Sequence, residues 1–123
     1  MAYVLVFMLG GLGSALRYAV GLALASQQGW PSGTLMVNVV GSTLLAFVAT
    51  VAGDARALGV EWRVMLGTGL LGGFTTYSAF NLEVLTMLQK GSSLRAGMYL
   101  FATVLGCLLG ALLGAALARG VRA

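Results

Sequence analysis

Four stretches of this chain are apolar for about twenty residues or more: Tyr3 to Ala25, Thr34 to Ala52, Trp62 to Leu88 and Arg95 to Leu117. A helix rises 1.5 Å per residue, so each stretch is long enough to cross the roughly 30 Å hydrocarbon layer of a bilayer. Only 8% of the residues are charged, against about 25% in an ordinary soluble domain. The pattern predicts an all-α integral membrane protein with four transmembrane helices. The connectors SQQGWPSG, GDARALGVE and QKGSS are short and rich in helix breakers. They leave no room for a separate domain, so residues 1–123 are expected to form one four-span unit. The first stretch lacks the basic start of a signal peptide and reads as a retained span.

Composition excludes several chemistries. There is no histidine, so a histidine-based metal site or proton relay is ruled out. The single cysteine, Cys107, cannot form an intrachain disulfide. No span carries a pair of carboxylates, and an enzyme is not expected. The net charge of +4 is scattered at helix ends, where it serves as headgroup anchors, and no nucleic-acid partner is implied.

With four spans, both termini and the middle connector share one side, with Arg56, Arg63, Arg119 and Arg122. The opposite side has Lys90 and Arg95. Four against two is a weak positive-inside bias, which permits insertion either way up and hence an antiparallel pair. Four helices fill their own centre with side chains and leave no water channel, so transport would favour oligomerisation. Gly106, Gly110 and Gly114 form a small-residue stripe; Gly10 with Ser14, and Gly69 with Gly73, repeat its spacing. Such stripes serve close helix contacts either within or between subunits.

Polar residues inside an apolar span point to function, because unpaired polar groups are costly there. In "GTLMVNVVGST", Thr34, Asn38 and Ser42 share one helical stripe. The Asn38 amide must find partners, either as glue between helices or as a donor to a ligand. Tyr99 and Thr103 stand one turn apart in the fourth span, and Tyr99 would equally suit an interfacial aromatic belt. Arg17, in the first span, and Glu83, in the third, could pair with each other. Alternatively, Arg17 could reach the interface or draw anions to a wet mouth.

The densest cluster is "GGFTTYSAF", residues 72 to 80. Gly72 and Gly73 are poor helix formers and Thr75 and Thr76 are β-branched, which predicts that the third span unwinds there. A break at membrane depth is tolerated where it is buried or lines a cavity, and its free carbonyls can hold a cation. Tyr77 and Phe80 follow on one face, as ligand-facing rings or as core aromatics around a glycine notch.

These stretches, with "GGLGSALRYAV" in the first span, resemble the Fluc or CrcB family of small bacterial fluoride channels over essentially the whole chain. The resemblance implies an antiparallel, dual-topology homodimer in the bacterial cytoplasmic (inner) membrane. Two fluoride pathways would run through the dimer and export cytoplasmic fluoride passively. It implies a structural sodium ion at the dimer centre, held by the backbone carbonyls of Gly72 and Thr75. By position, Asn38, Tyr77, Phe80 and Ser78 map to the pathway, with Thr34, Tyr99 and Thr103 supplying hydroxyls and Arg17 a vestibule. One position departs: the family pattern has phenylalanine at the first box position, where this chain has Tyr77.

Two other classes share some of these features. Small proton-coupled exporters are also four-span and dual-topology, but they depend on a glutamate in the first helix, and this first span has none. A purely structural membrane subunit would need only the glycine stripes and would pass no ion.

Overall fold

The structure, a computed structural model, describes residues 1–26 and 29–123; Gln27 and Gln28 of the first connector lie outside the described residues. Among the described residues three helices are long and apolar enough to cross a membrane: α1 (Ala2–Ala23), α2 (Ser32–Val51) and α5 (Ser93–Arg122). The third predicted span is divided. It begins as a π-helix, Arg63–Leu71, continues as a single α-turn, α3 (Gly72–Phe74), and restarts as α4 (Tyr77–Gln89). The result is a four-helix bundle with a bent third helix, a multi-pass membrane protein.

The bend does not lie where the glycines suggest. Gly72 and Gly73 stay helical, and the chain becomes extended at Thr75 (φ −84°, ψ 158°) and Thr76 (φ −152°, ψ 120°). The glycines instead permit close approach. A side chain at Gly73 would run into the Gly10 carbonyl, and one at Gly13 into the Leu70 carbonyl. Thus α1 crosses the third segment almost backbone to backbone. Gly41 on α2 makes room in the same way for the Thr75 methyl group.

The stripe on α5 is used inside the subunit. Gly106 faces Val39, Gly110 faces Thr43 and Val39, and a side chain at Gly114 would meet the Thr43 carbonyl. Small residues at these positions let α5 lie tightly along α2. The last turn of α5 is tied down by Arg122, whose Nη1 donates to the Thr50 carbonyl at 2.8 Å.

Between α2 and the π-helix, β1 (Arg56–Ala57) and β2 (Val60–Glu61) form a small antiparallel hairpin. Its two-residue turn, Leu58 and Gly59, has φ of 53° and 76°, the geometry that matches the twist of paired strands. An Arg56–Glu61 ion pair at 3.0 Å spans the exposed strands. At the other end of the molecule, α4 stops at Gly91 (φ 74°). The Ser92 N–H donates to the Met87 carbonyl and the Gly91 N–H to the Leu88 carbonyl. This double closure satisfies carbonyls that a helix end leaves free and turns the chain into α5.

The buried core is small and lies at that connector end. Phe80, Met87, Ala96 and Tyr99 form it, with Trp30, Leu35 and Val84 packed around them. Many large apolar side chains elsewhere, such as Phe7, Leu108 and Leu112, are exposed, as expected where the solvent is lipid.

Candidate functional site

Asn38 holds the break. Its Nδ2 donates to the Thr76 carbonyl at 2.9 Å, and its Oδ1 accepts from the Thr76 N–H at 2.8 Å. The side-chain amide thus pairs with a backbone unit as a neighbouring strand would, and the two bonds fix its orientation. Thr76 also caps α4: its Oγ1 accepts from the Ala79 N–H at 3.2 Å. That hydroxyl lies 3.3 Å from Ser78 Oγ in a further hydrogen bond.

These two grips have a consequence for the carbonyls. In a continuous helix the Thr76 N–H would bond to Gly72 and the Ala79 N–H to Thr75. Here the first N–H goes to Asn38 and the second to the Thr76 hydroxyl. The carbonyls of Gly72 and Thr75 are thereby released from the helical ladder. Gly73 differs, because its carbonyl accepts from Arg17 Nε at 3.2 Å and Ser14 Oγ at 3.3 Å.

Beside the break opens a cavity of about 370 Å³, lined by Asn38, Ser42, Thr75, Thr103 and both box aromatics, among others. Thr103 is only 6% exposed, and its Oγ1 has no hydrogen-bond partner among the described residues. The aromatics are unequal. Phe80 is 3% exposed, whereas Tyr77 is 74% exposed on the outer face. Their ring centroids lie 5.8 Å apart at 51°, and Phe80 meets Tyr99 edge-on at 5.2 Å.

Tyr99 and Thr34 converge elsewhere. Both hydroxyls donate to Glu83, Thr34 to Oε1 and Tyr99 to Oε2, each at 2.6 Å. Trp30 stacks edge-on against Tyr99, and the Arg95 guanidinium lies 5.7 Å from the Trp30 ring centre. Glu83 borders an open pocket of about 330 Å³ with Lys90 and Arg95 on its rim. The two charges of the sequence reading therefore take separate partners: Arg17 holds the Gly73 carbonyl, and Glu83 gathers two hydroxyls. Arg17 and Thr34 share another pocket with Thr76.

The structure thus brings Asn38, Thr103, Tyr77 and Phe80 to one cavity. It joins Thr34 and Tyr99 through Glu83, and sets Ser78 beside the Thr76 hydroxyl. Three participants were not singled out from the sequence as site residues: Thr76, Glu83 as the acceptor of two hydroxyls, and Cys107, which also lines the cavity. The four-residue interval from Tyr99 through Thr103 to Cys107 was the available signal for the last.

Comparison with known proteins agrees with this picture. The family described as CrcB-like protein, Camphor Resistance (CrcB), matches residues 4–115. A protein of Anaeromyxobacter dehalogenans named fluoride-specific ion channel FluC is 46% identical over 111 residues, covering 88% of each chain. One of the same name from Anaeromyxobacter sp. (strain K) is 43% identical over 122 residues and 97% of each chain. Another from Oceanobacillus iheyensis is 40% identical over 105 residues, 85% of this chain and 81% of the relative. With a family match over residues 4–115 and relatives 40–46% identical over most of both chains, this chain belongs to the CrcB (FluC) family.

Proposed function

We propose that this chain is a fluoride-selective, passive ion channel that exports cytoplasmic fluoride and so relieves its toxicity. The observation that carries the reading is one cavity lined by an asparagine, a buried threonine and two aromatic residues, Asn38, Thr103, Tyr77 and Phe80. Relatives that cover nearly the whole chain are named fluoride-specific ion channels. No enzymatic activity is assigned.

Fluoride is small and strongly hydrated, so a narrow path must replace its water with donors. Thr103 Oγ1 has a hydrogen to give, and Asn38 Nδ2 carries a second hydrogen beyond the one given to Thr76. The rings of Phe80 and Tyr77 offer positively polarised edges. Among the described residues, no lysine or arginine lines this cavity. Several moderate contacts let an ion bind and still leave, whereas one strong site would trap it. Chloride, larger and more weakly hydrated, gains less from such a row.

The dimeric part of the proposal is an antiparallel homodimer with two pathways and a sodium ion at its centre. The oxygen donors fit such an ion: the carbonyls of Gly72 and Thr75 have lost their helical partners, and hard cations prefer oxygen ligands. Bound there, sodium would supply a fixed positive charge between the subunits. Asn38 and the Thr76 hydroxyl take the N–H groups that these two carbonyls would bind in a helix, and Arg17 with Ser14 holds the carbonyl of Gly73.

A proton-coupled, dual-topology transporter is the second reading, favoured by one observation: Glu83 is a carboxylate among membrane helices, clasped by two hydroxyls. Efflux from liposomes containing only this polypeptide separates the two. The channel reading expects fluoride efflux far above chloride efflux with no proton gradient. Flux that requires a proton gradient, or transport of lipophilic cations, would overturn it.

A further inference from the structure

Where α2 ends, Phe47, Val48, Val51 and Ala52 form an apolar groove of about 320 Å³ with Trp62 and Leu66 from the third segment. The groove lies at the middle connector and therefore at one membrane surface. Phe47 stands about two and a half helical turns beyond Asn38, so groove and cavity occupy different sides of α2. A neighbouring chain that covers the cavity leaves this groove to lipid. Its apolar walls suit an acyl chain, and Trp62 is an amphipathic ring of the kind that sits at headgroup level. The hairpin tip agrees with that level. Leu58 is 70% exposed at a left-handed turn position (φ 53°) that usually takes Asn, Asp or Gly. An apolar side chain there is better placed in the interfacial layer than in water.

The charges beside the groove favour one class of headgroup. Arg63 directly follows Trp62, and Arg122 is held at the Thr50 carbonyl, next to Val51. Arg63 has no hydrogen bond or ion pair among the described residues, and Arg122 keeps further N–H donors beyond the one given to Thr50. Of the acidic residues on this connector, Glu61 is occupied by Arg56, which leaves Asp54 to oppose them. Guanidinium groups match a phosphate with paired donors, and basic pockets between spans at a membrane surface bind anionic headgroups. We propose that this groove is a binding site for an anionic phospholipid. One acyl chain lies along Phe47, Val51 and Leu66, and Arg63 and Arg122 hold the headgroup phosphate. A zwitterionic lipid carries an ammonium that offsets its phosphate, so it gains less there. The site is independent of the channel reading, and its test uses no ion flux.

The test uses the whole protein in mild detergent with equimolar phosphatidylglycerol and phosphatidylethanolamine, and reads retained lipid by native mass spectrometry. Phosphatidylglycerol is expected to dominate, and its retention to fall roughly tenfold or more in Arg63→Gln/Arg122→Gln. Val48→Trp, which fills the groove, should lower it as well. Lys90→Gln/Arg95→Gln removes the same charge from the opposite face and should retain phosphatidylglycerol as the unaltered chain does. On the unaltered chain, phosphatidylglycerol with a photoreactive acyl chain should cross-link to the stretches 47–52 and 62–66. Equal retention of the two lipids, or equal losses in the two double variants, overturns the proposal. Cross-links spread evenly over the spans do so too. A groove sealed by a second copy of the chain would give no lipid cross-link there, which also overturns it.

Discussion

Asn38 serves two purposes with one side chain. Its amide closes the gap in the third helix, and its remaining donor lines the cavity. Removing it leaves the N–H and carbonyl of Thr76 unpaired in a partly buried setting, at a cost of up to about 1–3 kcal/mol for each group. Asn38→Ala is therefore expected to lower thermal stability in detergent and to abolish fluoride efflux. Asn38→Asp retains an acceptor for the Thr76 N–H but offers the Thr76 carbonyl no donor when ionised. It should lose efflux while losing less stability than Asn38→Ala. Wild-type melting and efflux in Asn38→Ala would refute this role. The importance of Asn38 was legible in the sequence because an amide stands out in an apolar span. Its partner was not, since Thr76 lies 38 positions away and only the folded chain brings the two together. Glu83 was hidden in the same way: its carboxylate joins two hydroxyls that come from different helices.

At the scale of the element, the third segment shows what local pattern reading can and cannot supply. Glycine next to β-branched threonine correctly marked a break. The threonines carry it: both are extended, and Thr76 is held so by Asn38, which pairs with its N–H and carbonyl. Gly73 remains helical and serves contact with α1. The π-helix before it left no signal in the sequence, since its residues are apolar in either helical form. Such stretches are rare and often mark functional sites. The close crossing makes a sharp prediction on α1. A methyl group at Gly13 would run into the Leu70 carbonyl, whereas one at Gly11 meets nothing within 4 Å. Gly13→Ala should therefore collapse the yield of monodisperse protein in size-exclusion chromatography, and Gly11→Ala should not. Equal yields would show that α1 does not pack on the third segment as described.

For the whole molecule, the four spans were plain from hydropathy alone, and the weak charge bias was plain from counting. The structure adds where the ends lie. Arg122 reaches the end of α2, so the carboxyl terminus and the middle connector share one face. Trp30 and Arg95 bring the other two connectors together on the opposite face. If the working unit is an antiparallel pair, a few added charges should separate its two orientations. Lysines placed in the middle connector should fix that connector in the cytoplasm, and lysines beside Lys90 should do the reverse. Each biased variant alone is expected to lose most fluoride efflux, and co-expression of the two should restore it. Full efflux from a single biased variant would exclude the antiparallel pair.

The cavity beside Asn38 opens on the outside of the bundle, and Tyr77 stands there largely uncovered. If the working unit is a pair of chains, a lone subunit that reaches the bilayer would carry only half of a conduit, with this cavity turned outward. Newly inserted chains would be electrically silent until they meet a second copy. The membrane would then be spared a leak during synthesis, and conduction would begin only above a threshold of surface density.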